Sequence, residues 1–401
     1  MTESAGESRP SDVCPVAYPF RGQHRLYLEP DYADARRQAQ LMAVTLPVGG
    51  KALLASTHAQ VRAVLANPHM ARQPANQPSS PRLTEDVLPQ GTLLALDGDA
   101  HGRLRRPIAS AFTARNARAL RPHLQAAADR FLDELEANIG PTDLIEHYLE
   151  PLTVTTTAEI LGIPQHSRHS VLTLVKRLTR PEDRDTQARD RSALEGLLDD
   201  LTSGTTLPPG LLDDLARTRN GDAQLSLAEV TDLVVTVYAG GRTPTIMLAS
   251  AALLLLTHTE HLELLRNRPD LWETAVDELL RYVPVGLSGG FPRVATSAVD
   301  ICGSPVEKGK SVLPATISAN FDERVFPNAE HLELARRHNP HLAFGYGPHR
   351  CPGAPVSRIL IEVALRTLIE RLPDVRISEQ RPITWHSGLT VRALAVLPVE
   401  W

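Results

Sequence analysis

The reactive chemistry of the chain concentrates in one stretch, Phe344-Gly345-Tyr346-Gly347-Pro348-His349-Arg350-Cys351-Pro352-Gly353. It places one cysteine on a glycine-rich loop ahead of an apolar helical segment running from about Ala354 to Leu372. The helix N-terminus and the basic neighbours His349 and Arg350 favour thiolate over thiol. Glycines let a backbone approach a flat ligand closely, and the N–H groups beside them can donate to the sulfur. A thiolate so placed is fit to hold an iron. A lone cysteine is more often buried and inert, but three glycines and two basic residues within this stretch argue against that. Two residues apart on a loop, Cys351 and His349 suit a hydrolase dyad or a zinc site poorly.

Further charged groups stand at helical spacing. Glu278 and Arg281, in Glu278-Leu279-Leu280-Arg281, share one helix face and can pair. His101 and Arg105 also face one way, as two donors suited to anionic groups. Arg293 follows in Phe291-Pro292-Arg293. Taken singly, each has an ordinary reading: a surface ion pair worth about 0–1 kcal/mol, or a solvated loop histidine.

Together these motifs resemble the cytochrome P450 family, the haem-thiolate monooxygenases. Phe344, Gly347, His349, Cys351 and Gly353 match the family's Phe-x-x-Gly-x-His/Arg-x-Cys-x-Gly loop. Glu278 and Arg281 match its Glu-x-x-Arg, and His101 and Arg105 its His-x-x-x-Arg, in family order. The resemblance implies haem b with Cys351 as the axial thiolate and metal ligand. It implies His101, Arg105, Arg293 and His349 as propionate contacts, with Phe344, Gly345 and Gly353 also at the cofactor. It makes Glu278 and Arg281 a buried structural pair with Arg336 as third partner. The implied fold is mainly α, a single P450-type helical domain over residues 1–401 with small β-sheets. The implied activity is hydroxylation, or a related oxidation, of a bulky specialised metabolite with O2 and electrons from a ferredoxin and ferredoxin reductase.

The central apolar run departs from the family. Ala239-Gly240-Gly241-Arg242-Thr243-Pro244-Thr245 stands where members usually show Ala-Gly-x-Asp/Glu-Thr-Thr. Thr243 keeps the alcohol, Arg242 replaces the acid and Pro244 the second threonine. A hydroxyl and a nearby carboxyl can relay protons, whereas a guanidinium never releases its own at working pH. Pro244 has no N–H for the Gly240 carbonyl, so the helix should kink or widen here. Thr243, Arg242 and Gly240 are therefore the candidate catalytic positions. In one reading Arg242 turns about 100° away from the haem side, toward an acid elsewhere, and water at the kink delivers protons. In another the enzyme couples substrate radicals into C–C or C–N bonds, on phenols or tryptophan cyclic dipeptides, without inserting oxygen. A third is a haem-binding protein that oxidises nothing.

The elements that must position these residues are mostly helical. Residues 1–20 read as a polar leader ending in Tyr18-Pro19-Phe20. A hairpin turns at Gly49-Gly50 before a helix from about Thr57, and residues 71–91 form an irregular loop. Helical periods dominate from Arg103 to about 200, with an apolar stripe at Leu120, Leu124, Ala127, Phe131 and Leu135. Pro107 is tolerable if its helix starts near Arg103. Ser226 and Glu229 make a capping box for the long apolar helix, and Asp270 with Glu273 cap the next. Hairpins follow between 298 and 317, turning at Gly303-Ser304 and Lys308-Gly309, and strands fill the tail.

With 401 residues the chain can bury a large core without staples. Forty-two basic against 47 acidic residues give a net charge of −5, which argues against nucleic acid as a ligand. Three cysteines (Cys14, Cys302, Cys351) make no disulfide framework and suit a reducing, cytoplasmic compartment. The stretch between Asp232 and Glu260 is apolar, but Arg242 and Pro244 at its middle argue against a membrane span. Substrate contacts are expected from Leu94, Val235, Ala239, Val285, Leu287 and Leu389. Two acid-free stretches, with Arg103, Arg105, Arg106, Arg115, Arg118 and Arg121 in one and Arg336, Arg337, Arg350 and Arg358 in the other, suggest a basic face for an acidic ferredoxin.

Overall fold

The computed structural model describes residues 15–20, 25–38, 40–137, 140–179, 183–204, 206–220, 225–286, 291–387 and 391–401. Helices predominate among them. In chain order they are α1 (Asp31–Arg37), α2 (His58–Ala66), α3 (Gly98–Ala111), α4 (Ala114–Glu136), α5 (Glu150–Leu161), α6 (Gln165–Leu178) and α7 (Arg184–Gly204). They continue with α8 (Leu211–Asn220), α9 (Leu227–Gly241), α10 (Thr243–Thr257), α11 (Thr259–Asn267), α12 (Trp272–Tyr282), the single turn α13 (Thr316–Ala319) and α14 (Ala354–Arg371).

The largest core cluster joins α4, α10, α12 and α14 through Leu124, Leu132, Leu248, Leu255, Leu279, Leu365 and Leu368. The two apolar stripes of α14 explain its place at the centre, since a helix apolar on most sides must be buried on most sides. A second cluster joins α3 and α6 to α9. Of the stripe on α4, Leu124, Ala127 and Leu135 are buried, and Leu120 and Phe131 lie partly buried against the same core.

A six-stranded sheet flanks the helices. Its order is β1 (Val16–Ala17), β2 (Met42–Leu46), β3 (Gly50–Ala55), then Ser311–Pro314, Arg293–Ala295 and Met70–Ala71. The β2–β3 hairpin turns at Gly49 and Gly50, both at positive φ. A Cβ on Gly49 would lie 2.5 Å from the Ser80 carbonyl, so the 71–91 loop folds onto this turn. Thr57 caps α2 in a full capping box with Gln60, and Ser226 with Glu229 does the same for α9.

Several expectations change. The end of the polar leader is structural: Val16–Ala17 joins the sheet, and Tyr18 and Phe20 are buried against Tyr32. Residues 1–14, Cys14 included, lie outside the described residues. Helix α3 starts at Gly98, which leaves Pro107 inside it. Pro107 stands four residues from the end of α3, so only one carbonyl, that of Arg103, loses its helical donor. Asp270 does not cap α12; it holds Arg268 through two hydrogen bonds of 2.8 and 2.7 Å. Gly303-Ser304 does turn a hairpin, between Val299–Ile301 and Ser304–Val306. After Lys308-Gly309, however, Ser311–Pro314 leaves that hairpin to pair with β3 and Arg293–Ala295.

The run Leu227–Thr257 is long and apolar enough to cross a membrane by length and composition alone. It is two helices, however, and Met247 to Leu256 are all buried in the core.

Candidate functional site

The cysteine loop crosses the end of α2 and enters α14. Gly345 and Gly347 sit at φ 69° and 71°, where only glycine is relaxed. At Gly347 a Cβ would lie 2.5 Å from the Leu65 carbonyl, so the loop's path also depends on the missing side chain. The Cys351 N–H donates to the Phe344 carbonyl at 2.8 Å, which closes the loop. Cys351 is exposed as a residue, although protein surrounds its thiol closely enough for burial to push it above its ordinary pKa. The Gly353 N–H, Arg105, Arg350 and the Ala354 N–H pull the other way without prevailing. The expected thiolate preference is thus not supplied by the loop alone; metal coordination deprotonates a thiol outright. A Cβ on Gly353 would meet the sulfur and the Phe112 ring at 3.7 Å, an ordinary van der Waals contact.

Beside the loop, cations gather around a single carboxylate. His101 lies at 4.1 Å, ring centroid to ring centroid, from His349. Burial, then His349, Arg105 and Arg72, push His101 down to about 4, so it is neutral at pH 7. Arg293 on its strand is 3% exposed, and its Nη1 has no hydrogen-bond partner. Burial lowers it to about 10. Arg72 is 8% exposed, its Nε has no partner, and burial together with Arg293 lowers it to about 9. Asp97 accepts the N–H groups of Arg72 (2.7 Å) and Gln73 (2.8 Å) and stands 3.1 Å from His349 Nε2. Burial alone would raise the Asp97 carboxyl, but hydrogen bonds from His349, Gln73 and Arg72 outweigh it and hold the group below its ordinary value. Arg105 is turned to the Arg350 carbonyl rather than beside His101.

Two buried guanidinium groups, those of Arg72 and Arg293, near the one carboxylate of Asp97 form a site that wants more negative charge. Orphaned donors on Arg72 and Arg293 and a lone exposed cysteine make a donor set that fits a flat dianionic ring with a thiolate-bound metal. Among the described residues no group of three or more His, Cys, Asp or Glu could hold a metal by itself. Arg72 and Asp97 belong to none of the motifs that the sequence displays. Asp97 four residues before His101 carried a weak signal; Arg72, in an irregular loop, carried none.

The central helix breaks where expected but tightens rather than widens. The Arg242 N–H turns to the Ala239 carbonyl at 3.3 Å and the Thr245 N–H to the Arg242 carbonyl at 3.1 Å, both shorter steps than the helical one. Ala239, Gly240 and Thr243 are exposed along the break, and Thr243 opens α10. On the other side a Cβ on Gly241 would lie 2.3 Å from the Thr157 hydroxyl of α5. Thr245 and Thr153 share a hydroxyl hydrogen bond of 2.6 Å. Arg242 is half-buried and its side chain has no acid or hydrogen-bond partner among the described residues, so the acid expected for it is not found. Of the expected substrate contacts, Leu94 is half-buried, and Val235 and Val285 pack against the core clusters. Leu287 and Leu389 lie outside the described residues.

Glu278 and Arg281 have no exposed side-chain surface. Two bonds of 2.8 and 2.7 Å join them, and Arg336 reaches Glu278 at 3.0 Å. Arg336 therefore cannot serve a docking face. Arg103, Arg121 and Arg358 are also engaged, with Glu229, Glu362 and Asp277. Arg106, Arg115, Arg118, Arg337 and Arg350 remain exposed without an acid partner among the described residues.

The profile described as Cytochrome P450 matches residues 262–384. The chain is 38% identical to nocardicin C N-oxygenase of Nocardia uniformis subsp. tsuyamanensis over 96% of this chain and 98% of that one. It is 34% identical to mycinamicin IV hydroxylase/epoxidase of Micromonospora griseorubida over 96% and 99%. The crystal structure of HinD with NMFT and NO superposes with a TM-score of 0.86 at 38% identity, covering 97% of this chain and all of that one.

Proposed function

Because the chain belongs to the cytochrome P450 family and is a haem-thiolate monooxygenase, we propose that it hydroxylates or otherwise oxidises a bulky specialised metabolite, with electrons from a ferredoxin and its reductase. One observation carries the substrate class: the match to enzymes named for nocardicin C and mycinamicin IV runs over nearly the whole chain. In this reading residues 1–401 act as one oxygenase domain in the cytoplasm.

Cys351 holds the iron, and Arg72, Arg293, His101, Arg105 and His349 form the cationic wall toward the propionates, with Phe344, Gly345 and Gly353 shaping the ligand loop. When bound, the haem supplies dioxygen activation, with the thiolate pushing electron density toward O–O cleavage. The chain's own part is positional. Thr243 opens α10 with an exposed side chain, whose hydroxyl can hold a proton or a water. Arg242 brings a half-buried guanidinium, a donor without acceptor capacity, to the break. Ala239 and Gly240 offer a small, open wall to the substrate.

The test is an optical titration of the haem band with macrolides, tryptophan cyclic dipeptides, phenols and terpenes, followed by turnover under isotope-labelled dioxygen. A spectral shift with one class and label in the product is the expected outcome. A dehydrogenated dimer without label would overturn oxygen insertion in favour of radical coupling, and no turnover with any reductase would favour a non-oxidising haem protein. Arg115→Glu with Arg118→Glu should slow reduction by an acidic ferredoxin several-fold at low salt, because Ala117 between them packs with Val356 at the start of α14, next to the cysteine loop. Unchanged, salt-indifferent rates would remove the docking face.

A further inference from the structure

Helix α5 touches both sides of the break between α9 and α10, at two points one helical turn apart. Thr157 packs on Gly241, the last residue of α9. A Cβ there would lie 2.3 Å from the Thr157 hydroxyl and 3.2 Å from its methyl carbon. Thr153, one turn earlier, shares a hydroxyl hydrogen bond of 2.6 Å with Thr245 of α10. Thr153 and Thr157 are 2% and 4% exposed. The hydroxyl bond has one polarity. The Thr153 hydroxyl lies 2.9 Å from the Glu150 carbonyl, which can only accept, so Thr153 gives its single proton there. Thr245 therefore donates to Thr153. The Thr157 hydroxyl donates to the Thr153 carbonyl at 2.9 Å, which fixes that side chain against Gly241. The broken backbone cannot supply the spacing between these points by its usual bonds. Pro244 has no N–H for the Gly240 carbonyl, and the Thr245 N–H turns to Arg242, three residues back instead of four. Gly241 and Thr245 thus face each other across the break but meet residues one turn apart on the unbroken helix α5. Thr243 lies two residues from each, about 200° around the helix, so it faces away from α5; it is exposed.

We propose that Thr153 and Thr157 are positioning residues for Thr243, and that α5 is a splint that sets how α9 and α10 meet. The inference rests on the reading of Thr243 as the hydroxyl that serves the reaction. A helix interrupted by Pro244 keeps that hydroxyl in one place because a second, continuous helix measures the gap. Gly241 has a specific part in this, since its missing side chain is what lets the Thr157 hydroxyl approach.

The infrared stretching band of carbon monoxide, added as a probe to the reduced holoprotein, reads the groups beside the cofactor without turnover. Thr243→Ala should shift the band. Thr153→Val keeps the side-chain shape and removes the acceptor of Thr245. It should broaden or split the band, and Thr153→Ser should restore the single wild-type band. In the same holoprotein Thr153→Val should speed amide exchange at Arg242 and Thr245 several-fold, the scale of one neutral hydrogen bond, and leave Val230 to Val234 unchanged. Gly241→Ala should give both changes by pushing α5 away. A wild-type band with wild-type exchange in Thr153→Val would overturn the proposal. A band that Thr153→Ser does not restore would assign the spacing to the methyl group instead of the hydroxyl, and the proposal would fall. If Thr243→Ala shifts the band while Thr153→Val and Gly241→Ala do not disturb it, only this inference fails. If Thr243→Ala leaves the band unmoved, the reading of Thr243 fails and this inference with it. Should Thr153→Val not fold, Thr245→Val ends the same bond without stranding a donor, because Thr153 keeps the Glu150 carbonyl. A broadened band is expected there too, and a wild-type band would count against the splint.

Discussion

Two buried arginine clusters in this protein are built on opposite rules. Around Glu278, every nitrogen of Arg281 is engaged: two with the carboxylate, and others with the carbonyls of Asn320, Ala329 and His331. Glu278 in turn accepts from Arg336, Asn339 and the Glu333 N–H. Around Asp97, the carboxylate takes the backbone N–H of Arg72 and acts on the Arg72 and Arg293 guanidinium groups only through its charge, and each of these keeps an orphaned nitrogen. A buried donor left unpaired costs about 1–3 kcal/mol, so the second cluster is a poor way to hold a fold together and a good way to hold an anion. Arg336 in the first cluster also keeps an Nη2 without a hydrogen-bond partner, so what separates the clusters is that the Arg281 and Arg336 guanidinium groups hydrogen-bond a carboxylate directly, while those of Arg72 and Arg293 bond none among the described residues.

The largest effect should come from the satisfied cluster. Glu278→Gln removes the charge facing both Arg281 and Arg336 and should destabilise the protein by about 3–5 kcal/mol in urea denaturation. A loss under about 1 kcal/mol would mean that the carbonyls alone suffice for Arg281, and the comparison would break. The opposite is expected at Arg293. Arg293→Gln should leave the stability of the haem-free protein within about 1 kcal/mol of wild type, or raise it, because an uncompensated buried charge is removed. The same variant should shed haem about tenfold faster, as expected for one charged hydrogen bond. A large loss of apoprotein stability would show Arg293 to be a structural arginine like Arg281.

The smallest effect is a pH dependence confined to the second cluster. His101 is held at about 4 in the fold, below its ordinary 6.5, by burial and neighbouring cations. Over that interval the unfolded chain binds the proton and the fold does not, so stability rises with pH. The contribution is complete above about 6.5 and fades as pH falls toward 4. His101→Gln should flatten that part of the profile in the haem-free protein. An unchanged slope would place the titrating group elsewhere.

Much of this was legible in residue order. Local spacing reveals the cysteine loop, the Glu278–Arg281 pair, the Ser226–Glu229 capping box and the break at Pro244, because each depends on residues a few positions apart or on a covalent property such as a missing N–H; Arg336 as third partner came from the family resemblance alone. The start of α3 was less legible, since glycine and aspartate at 98 and 99 hide a helix that packing against α8 and α9 sustains. The burial of Tyr18 and Phe20 was hidden for the same reason: their partners, Tyr32 among them, come from elsewhere in the chain.

Sequence by itself determined the chemistry available to this protein: one thiolate candidate on a glycine loop, a hydroxyl at 243, and an arginine where an acid is usual. Only the tertiary structure decided which charges remain unanswered. Arg336 and Arg293 are both buried arginines, and nothing local distinguishes them. The Arg336 guanidinium hydrogen-bonds a carboxylate brought from 58 residues away, and that of Arg293, with an unpartnered Nη1, bonds no carboxylate among the described residues. Long-range pairing settles whether a buried charge is neutralised, and it depends on which segments the core brings together rather than on their neighbours in sequence.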